Sequence, residues 1–116
     1  MKLTNNTVFN SFNSLAKLYN TDLPVMTAYT LKKNFEILNS QAQFINECRN
    51  DLINKYGHDG QIEESDTEAL ENFTKDFTQI LSVEEEFDII PISITELGDA
   101  KLTANDLDIL SFMIKA

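Results

Sequence analysis

At 116 residues, 42% hydrophobic and 24% charged, the chain suits a single domain whose core needs neither metals nor disulfides. Its one cysteine, Cys48, rules out an internal disulfide and a multi-cysteine zinc centre. The formal net charge of -10 is uneven: residues 1–58 hold four acids and six bases, residues 59–116 fifteen acids and three bases, so the halves stand at +2 and -12. That field repels phosphate backbones, which disfavours direct nucleic-acid binding, and no apolar run has the length of a leader or a membrane span.

In chain order, Met1-Lys2-Leu3 fits a short strand, and Thr4, Asn5 or Asn6 can cap a first helix. Val8, Phe9, Phe12, Leu15, Ala16 and Tyr19 give that helix one apolar face ending near Asn20. Thr21-Asp22-Leu23-Pro24 connects to a long helix that begins at Pro24 or is capped by Thr27. Its stripe runs Leu31, Phe35, Leu38, Ala42, Ile45, Cys48, Leu52, Tyr56, with no proline or glycine between Met26 and Gly57. Steps of three and four mark one helix face, and a helix of this length is a rod of roughly 45 Å. Gly57-His58-Asp59-Gly60 reads as a turn, after which Ser65 or Asp66 caps a return helix with Ala69, Leu70, Phe73, Phe77, Ile80 and Leu81 on its apolar side. Two such stripes bury best against each other as an antiparallel pair. The return arm is the shorter one, which leaves the stretch from Tyr29 to Leu38 for the first helix to cover.

After Leu81 the segment from Val83 to Ile94 is β-branched and interrupted by Pro91, which predicts an extended stretch at a sheet edge. Ile90, Ile92 and Ile94 would share one side, Phe87 and Ile89 the other, and the stretch would pair with Leu3. Gly98-Asp99 marks a turn, and Thr103-Ala104-Asn105-Asp106 opens a final helix presenting Leu107, Leu110, Phe112, Met113 and Ile114. The expected fold is therefore mainly α (α+β), one domain over 1–116. It is an antiparallel long-helix hairpin with N- and C-terminal helices packed at its base and a small β element.

Motifs for catalysis are missing. There is no Gly-rich phosphate loop, CxxC, HExxH or GxSxG, and the only histidine, His58, lies in the turn rather than beside a nucleophile. Cys48 falls on the packing stripe, where a buried inert thiol is expected. Glu84, Glu86 and Asp88 alternate along the extended stretch, so one face would carry three carboxylates, either as a solvated gatekeeper or as ligands of a divalent cation in a small carboxylate-metal enzyme. The phenylalanines at helical spacing are core rather than a base-stacking platform, and Lys32, Lys33 and Arg49 are too few for a nucleic-acid face. Phe44 is the exception: beside Ile45, it starts a second apolar ridge with Ile37 and Leu52 that would face the first helix or a second copy of the chain.

Leu23-Pro24, the residues Tyr29, Leu31, Lys33 and Asn34, then Leu52-Ile53-Asn54-Lys55-Tyr56-Gly57, Ile92-Ser93-Ile94-Thr95-Glu96-Leu97, Leu102-Thr103-Ala104-Asn105-Asp106-Leu107 and Met113-Ile114 resemble a family of small uncharacterised proteins from phages and prophages of Gram-positive bacteria. The resemblance spans nearly the whole chain and implies a viral or mobile-element origin, without a catalytic residue to transfer. The expectation is a non-enzymatic phage-type interaction module without cofactor or metal, acting as a virion or assembly accessory or binding a host protein. Its location would be the cytoplasm of the bacterial host or the virion. Its partner would be a phage or host protein with a basic surface, or a second copy, and neither nucleic acid nor membrane. The expected contacts are Glu63, Glu64, Glu84, Glu85, Glu86, Asp88 and Phe44. The alternative is an acidic nucleic-acid-mimicking inhibitor of a host defence or nucleic-acid-processing protein.

Overall fold

A computed structural model describes all 116 residues, Met1–Ala116. The elements follow as β1 (Lys2–Thr4), α1 (Asn5–Tyr19), α2 (Val25–Tyr56), α3 (Thr67–Leu81), β2 (Glu84–Glu86), β3 (Ile92–Ser93), a 3-10 turn (Ile94–Leu97), α4 (Ala104–Ile109) and β4 (Ile114–Lys115). Thr4 caps α1 by accepting from the Thr7 N–H, and Asp66 caps α3 through Ala69. Pro24 occupies the N-cap position of α2, without a side-chain cap. The 32 residues of α2, at about 1.5 Å each, account for nearly all of the 49 Å long axis. The radius of gyration is 16.7 Å, against about 13 Å for a compact chain of this length, so the molecule is elongated along α2.

The core lies at one end of that rod. Leu31, Leu38 and Ile45 of α2, spaced by seven, meet Val8, Leu15 and Leu18 of α1 and a C-terminal group of Phe87, Ile89, Ile92, Leu97, Leu110 and Met113. Tyr19 stacks on Phe35 with centroids 4.1 Å apart, and Phe12 approaches the same ring at 5.9 Å. Residues 46–86 add no member to the core cluster. There α3 lies against the second half of α2 with its side chains half-buried; Tyr56 donates to the Asp76 carboxylate, and Phe9 meets Phe77 edge-on at 5.7 Å. Between these helices Asp59 and Gly60 take φ of 53° and 78°, so the His58 to Gln61 turn closes with both central residues left-handed. Gly57 is needed for a different reason: a Cβ there would lie 2.2 Å from the Gln61 carbonyl oxygen.

The segment after α3 bears out one expectation and corrects two. β1 runs antiparallel to Glu84–Glu86, with Leu3 opposite Glu85, so the stretch after Leu81 does pair with Leu3, through its glutamates rather than its isoleucines. Ile92 is buried while Ile90 and Ile94 are exposed, so the three do not share a side; Pro91 breaks the alternation and Ile94 already belongs to the 3-10 turn. The last helix stops at Ile109, and the chain turns so that Ile114–Lys115 pairs in parallel with Ile92–Ser93. Leu110 and Met113 thus reach the core from a turn rather than from a helix face.

Three polar side chains of α2 hold this segment. Gln41 donates to the Glu85 carboxylate at 2.6 Å, Asn34 grips both backbone groups of Ile90, and Thr27 donates to the Glu96 carbonyl at 2.7 Å. Residues seven apart lie on one helix face, so residues 85–96 run back along α2 as a strap. The Asn34 contact does the work of a ladder rung just before Pro91, which has no N–H to offer. α4 is tied to α1 by Asp106, which accepts from Ser14 at 2.9 Å and Lys17 at 2.7 Å and closes a capping box with Thr103.

Candidate functional site

The acidic residues singled out from sequence fall on two separate places. Glu84, Glu85, Glu86 and Asp88 lie together on and just after β2, all exposed. Glu63 and Glu64 lie in the α2–α3 connection, one α3 length away, roughly 22 Å. They are not one surface.

The β2 face is built by pairing. Directly opposite residues of an antiparallel pair project to the same side, so Glu85 shares the side of its partner Leu3, where its exposed carboxylate accepts from Gln41, while Glu84 and Glu86 share the other side with Thr4 and Lys2. Glu86 accepts from the Met1 ammonium at 2.7 Å, and the same ammonium donates to the Phe87 carbonyl at 2.9 Å. Burial of Phe87 and Ile89 and exposure of Asp88 and Ile90 carry the alternation on. The outward side of this edge therefore presents Glu84, Glu86, Asp88 and Ile90 in succession. No three Asp, Glu, His or Cys side chains of the chain converge on a metal-sized site.

Phe44 sits one turn of α2 beyond Gln41, whose side chain reaches Glu85, and is 53% exposed, so its ring stands in solvent. The second ridge expected from sequence divides: Ile37 is packed against the core and Leu52 is half-buried, which leaves Phe44 alone on it. Cys48 is half-buried rather than enclosed, because α3 covers that part of α2 only thinly. At the start of α2, Val25, Met26 and Tyr29 are 81%, 70% and 59% exposed, which corrects the expectation that α1 covers α2 from Tyr29 onward: Tyr29 lies off the Leu31–Leu38 stripe and stays in solvent.

Among titratable groups, Asp106 alone is clearly displaced. The Lys17 ammonium, the Ser14 hydroxyl and the Thr103 backbone N–H hold its carboxyl well below the usual carboxylate range. These bonds join α4 to α1 and are structural in character; none of the three main surface grooves is lined by Ser14, Lys17 or Asp106.

No helix is long and apolar enough to cross a membrane. The chain matches no family model, no curated protein and no solved structure.

Proposed function

We propose that the protein is a non-enzymatic, phage-type interaction module, in which α2 and α3 act as an antiparallel hairpin that displays a binding face for another protein. The observation that carries this reading is an exposed aromatic ring and an outward acidic edge tied to neighbouring turns of α2: Phe44 lies one turn from Gln41, and Glu84, Glu86 and Asp88 face outward on the strap that Gln41 holds, with Lys2 opposite Glu86 and the Met1 ammonium paired to it. An aromatic anchor rimmed by charge is the usual anatomy of a protein contact. The charge selects a basic partner, either a host protein or a second phage component, and location in the bacterial cytoplasm or the virion follows from that choice. Tyr56 on Asp76, with Asn5 bridging Gln41 and the Ile80 carbonyl, supports the hairpin reading.

The test uses an amphipathic Lys/Leu helical peptide as the basic partner surface, followed by calorimetry at low and high salt. Binding should weaken with salt and be lost in both Phe44→Ala and the Glu84→Lys/Glu86→Lys double variant. Binding that survives both variants would remove this face from consideration. Light scattering after size exclusion at the same two salt concentrations separates the two roles, since a salt-insensitive oligomer favours an assembly component and a monomer favours a foreign partner.

A second reading has its own observation. Asp59, Glu63, Glu64, Asp66, Glu68 and Glu71 form an exposed acidic run without an intervening base at the α2–α3 connection and the start of α3. Such a run suits a nucleic-acid mimic directed at a basic groove. Displacement of duplex DNA from a basic DNA-binding protein, lost on reversing Glu63 and Glu64 to lysine, would favour it over the β2 face.

A further inference from the structure

A groove of about 430 Å³ opens between α1 and α2 on a flank of α2 other than the one gripped by the strap. Phe9, Phe12 and Ala42 line it together with five carboxamides, from Asn10 and Asn13 on α1 and Asn39, Gln43 and Asn46 on α2. No lining residue is ionisable, in a chain whose net charge is -10. The two rings are held from behind, Phe9 by Phe77 and Phe12 by Phe35. Asn10 donates to Asn6 at 2.8 Å, whereas the other four carboxamides take part in none of the side-chain hydrogen bonds of the fold.

α2 already shows what a helix-borne carboxamide does to an extended chain. Asn34 donates to the Ile90 carbonyl at 2.8 Å and accepts from the Ile90 N–H at 2.9 Å, so one side chain satisfies both backbone groups of an extended residue. A carboxamide carries both donors and acceptors, and a peptide backbone asks for both at every residue. On the groove side Asn39, Gln43 and Asn46 follow each other at steps of four and three along one face of α2, facing Asn13 across the rings. They span about 10 Å, the length of roughly three extended residues.

We infer that this groove binds an extended, uncharged peptide segment of a partner protein: Asn39, Gln43, Asn46 and Asn13 clasp its backbone amides as Asn34 clasps Ile90, and an apolar side chain of the segment rests on Phe9 and Phe12. Backbone hydrogen bonds supply affinity and the aromatic floor supplies specificity, as in other modes of extended-peptide recognition. The site is independent of the acidic β2 face and requires no charge on its ligand.

The test uses a library of N-acetylated, C-amidated hexapeptides without charged residues, each with one central Leu, Phe or Met. It is read by the side-chain NH2 resonances of Asn13, Asn39, Gln43 and Asn46 in a 15N-labelled protein. The expected result is a subset of peptides that shifts these resonances, with affinity unchanged between low and high salt and reduced roughly tenfold or more in Asn39→Ala/Asn46→Ala. Asn46 is exposed and Asn39 half-buried, so that variant keeps the fold, which its far-ultraviolet circular dichroism and melting temperature verify. Four results would overturn the inference: no peptide shifts the groove resonances, or peptides bind equally well to the double variant, or binding falls with salt as it would on the acidic face. The fourth is that maltotriose or simple concentration of the protein produces the shifts while peptides do not, which would make the groove a sugar site or a contact between copies.

Discussion

The two halves of α2 have similar sequence patterns and very different surroundings. From Thr27 to Ile45 the helix is enclosed by α1, the 85–96 strap and the C-terminal turn, and Thr27, Leu31, Asn34, Leu38 and Ile45 are buried. From Asn46 to Tyr56 none of its residues is, although Cys48, Leu52, Ile53 and Tyr56 continue the apolar spacing, and α3 returns only Ala69 as a buried residue. A stripe of threes and fours shows which face of a helix packs. Depth of burial depends on how many layers cover that face, and the second half has one.

The largest effect that tests this contrast is a paired truncation. Leu38→Ala should cost about 3 kcal/mol, as a fully enclosed leucine leaves a cavity, whereas Leu52→Ala should cost about 1 kcal/mol, since its half-buried side chain loses less area and its site can collapse. Urea midpoints with unchanged slopes would check the pair. Native-state hydrogen exchange adds the pattern: amides of residues 46–81 should open at lower free energy than those of α1 and the first half of α2. Equal costs, or uniform protection, would make the rod one cooperative layer and break the comparison.

Next in size is Asn34→Ala. The substitution leaves the part-buried N–H and C=O of Ile90 without their side-chain partner, and two such unpaired backbone groups cost about 2 kcal/mol. Gln41→Ala loses an exposed contact to Glu85 and one to the Asn5 carboxamide, whose own NH2 stays bonded to the Ile80 carbonyl, and should cost about 1 kcal/mol. Thermal melts of the two variants at one pH would rank them; a smaller loss for Asn34→Ala would mean that the strap is held by Phe87, Ile89 and Ile92 alone.

Asn34 also shows where the sequence stops being readable. The starts of α1, α3 and α4 were legible because capping is local: Thr4, Asp66 and the Thr103/Asp106 box stand where their side chains act, whereas the end of α4 at Ile109 carries no such signal. The core positions Leu31, Leu38 and Ile45 were legible from period alone. A polar residue inside that stripe reads as an interruption until its partner, 56 residues away, is known. The β pairing was legible only in outline: the stretch from Val83 to Ile94 reads as a partner for Leu3, but its contact through Glu84–Glu86 rests on backbone groups that the exposed glutamate side chains do not announce. In the candidate site the acidic edge could be named in advance, but not its separation from Glu63 and Glu64. The amide groove could not be named at all, because its two rows come from different helices and face each other only once α1 is docked.

The Asp106 cluster sharpens the comparison from the well-packed end. Its carboxyl is held below the ordinary range by Lys17, Ser14 and Thr103, so the folded state favours the carboxylate more than the unfolded chain does. A group depressed in this way contributes stability that is fully present above its unfolded value near 3.9 and drains away as pH falls below it toward the folded value. Between pH 5 and pH 3 the wild type should therefore lose more stability than Asp106→Asn, which has no carboxyl to protonate. The difference should shrink at high salt, because the Lys17 side chain is 49% exposed. Parallel pH slopes for the two proteins would remove Asp106 from the acid response and leave it to the other acids of the second half as a group.

The smallest effect belongs to the thin end. Gly60 has φ of 78° with nothing within 4 Å of a Cβ placed on it, so Gly60→Ala tests backbone conformation free of steric overlap. Its cost should be about 1 kcal/mol, the penalty of a left-handed alanine. Gly57→Ala, by contrast, drives a Cβ against the Gln61 and Ile53 carbonyls, so the turn must reopen before the chain can accept it. If residues 46–81 form a weakly coupled layer, both substitutions should speed exchange there while leaving the amides around Leu31 and Leu38 as protected as before. Faster exchange at Leu38 in either variant would mean that the turn communicates with the core along α2, and the division of the rod into a deep and a shallow half would fail at its boundary near Ile45.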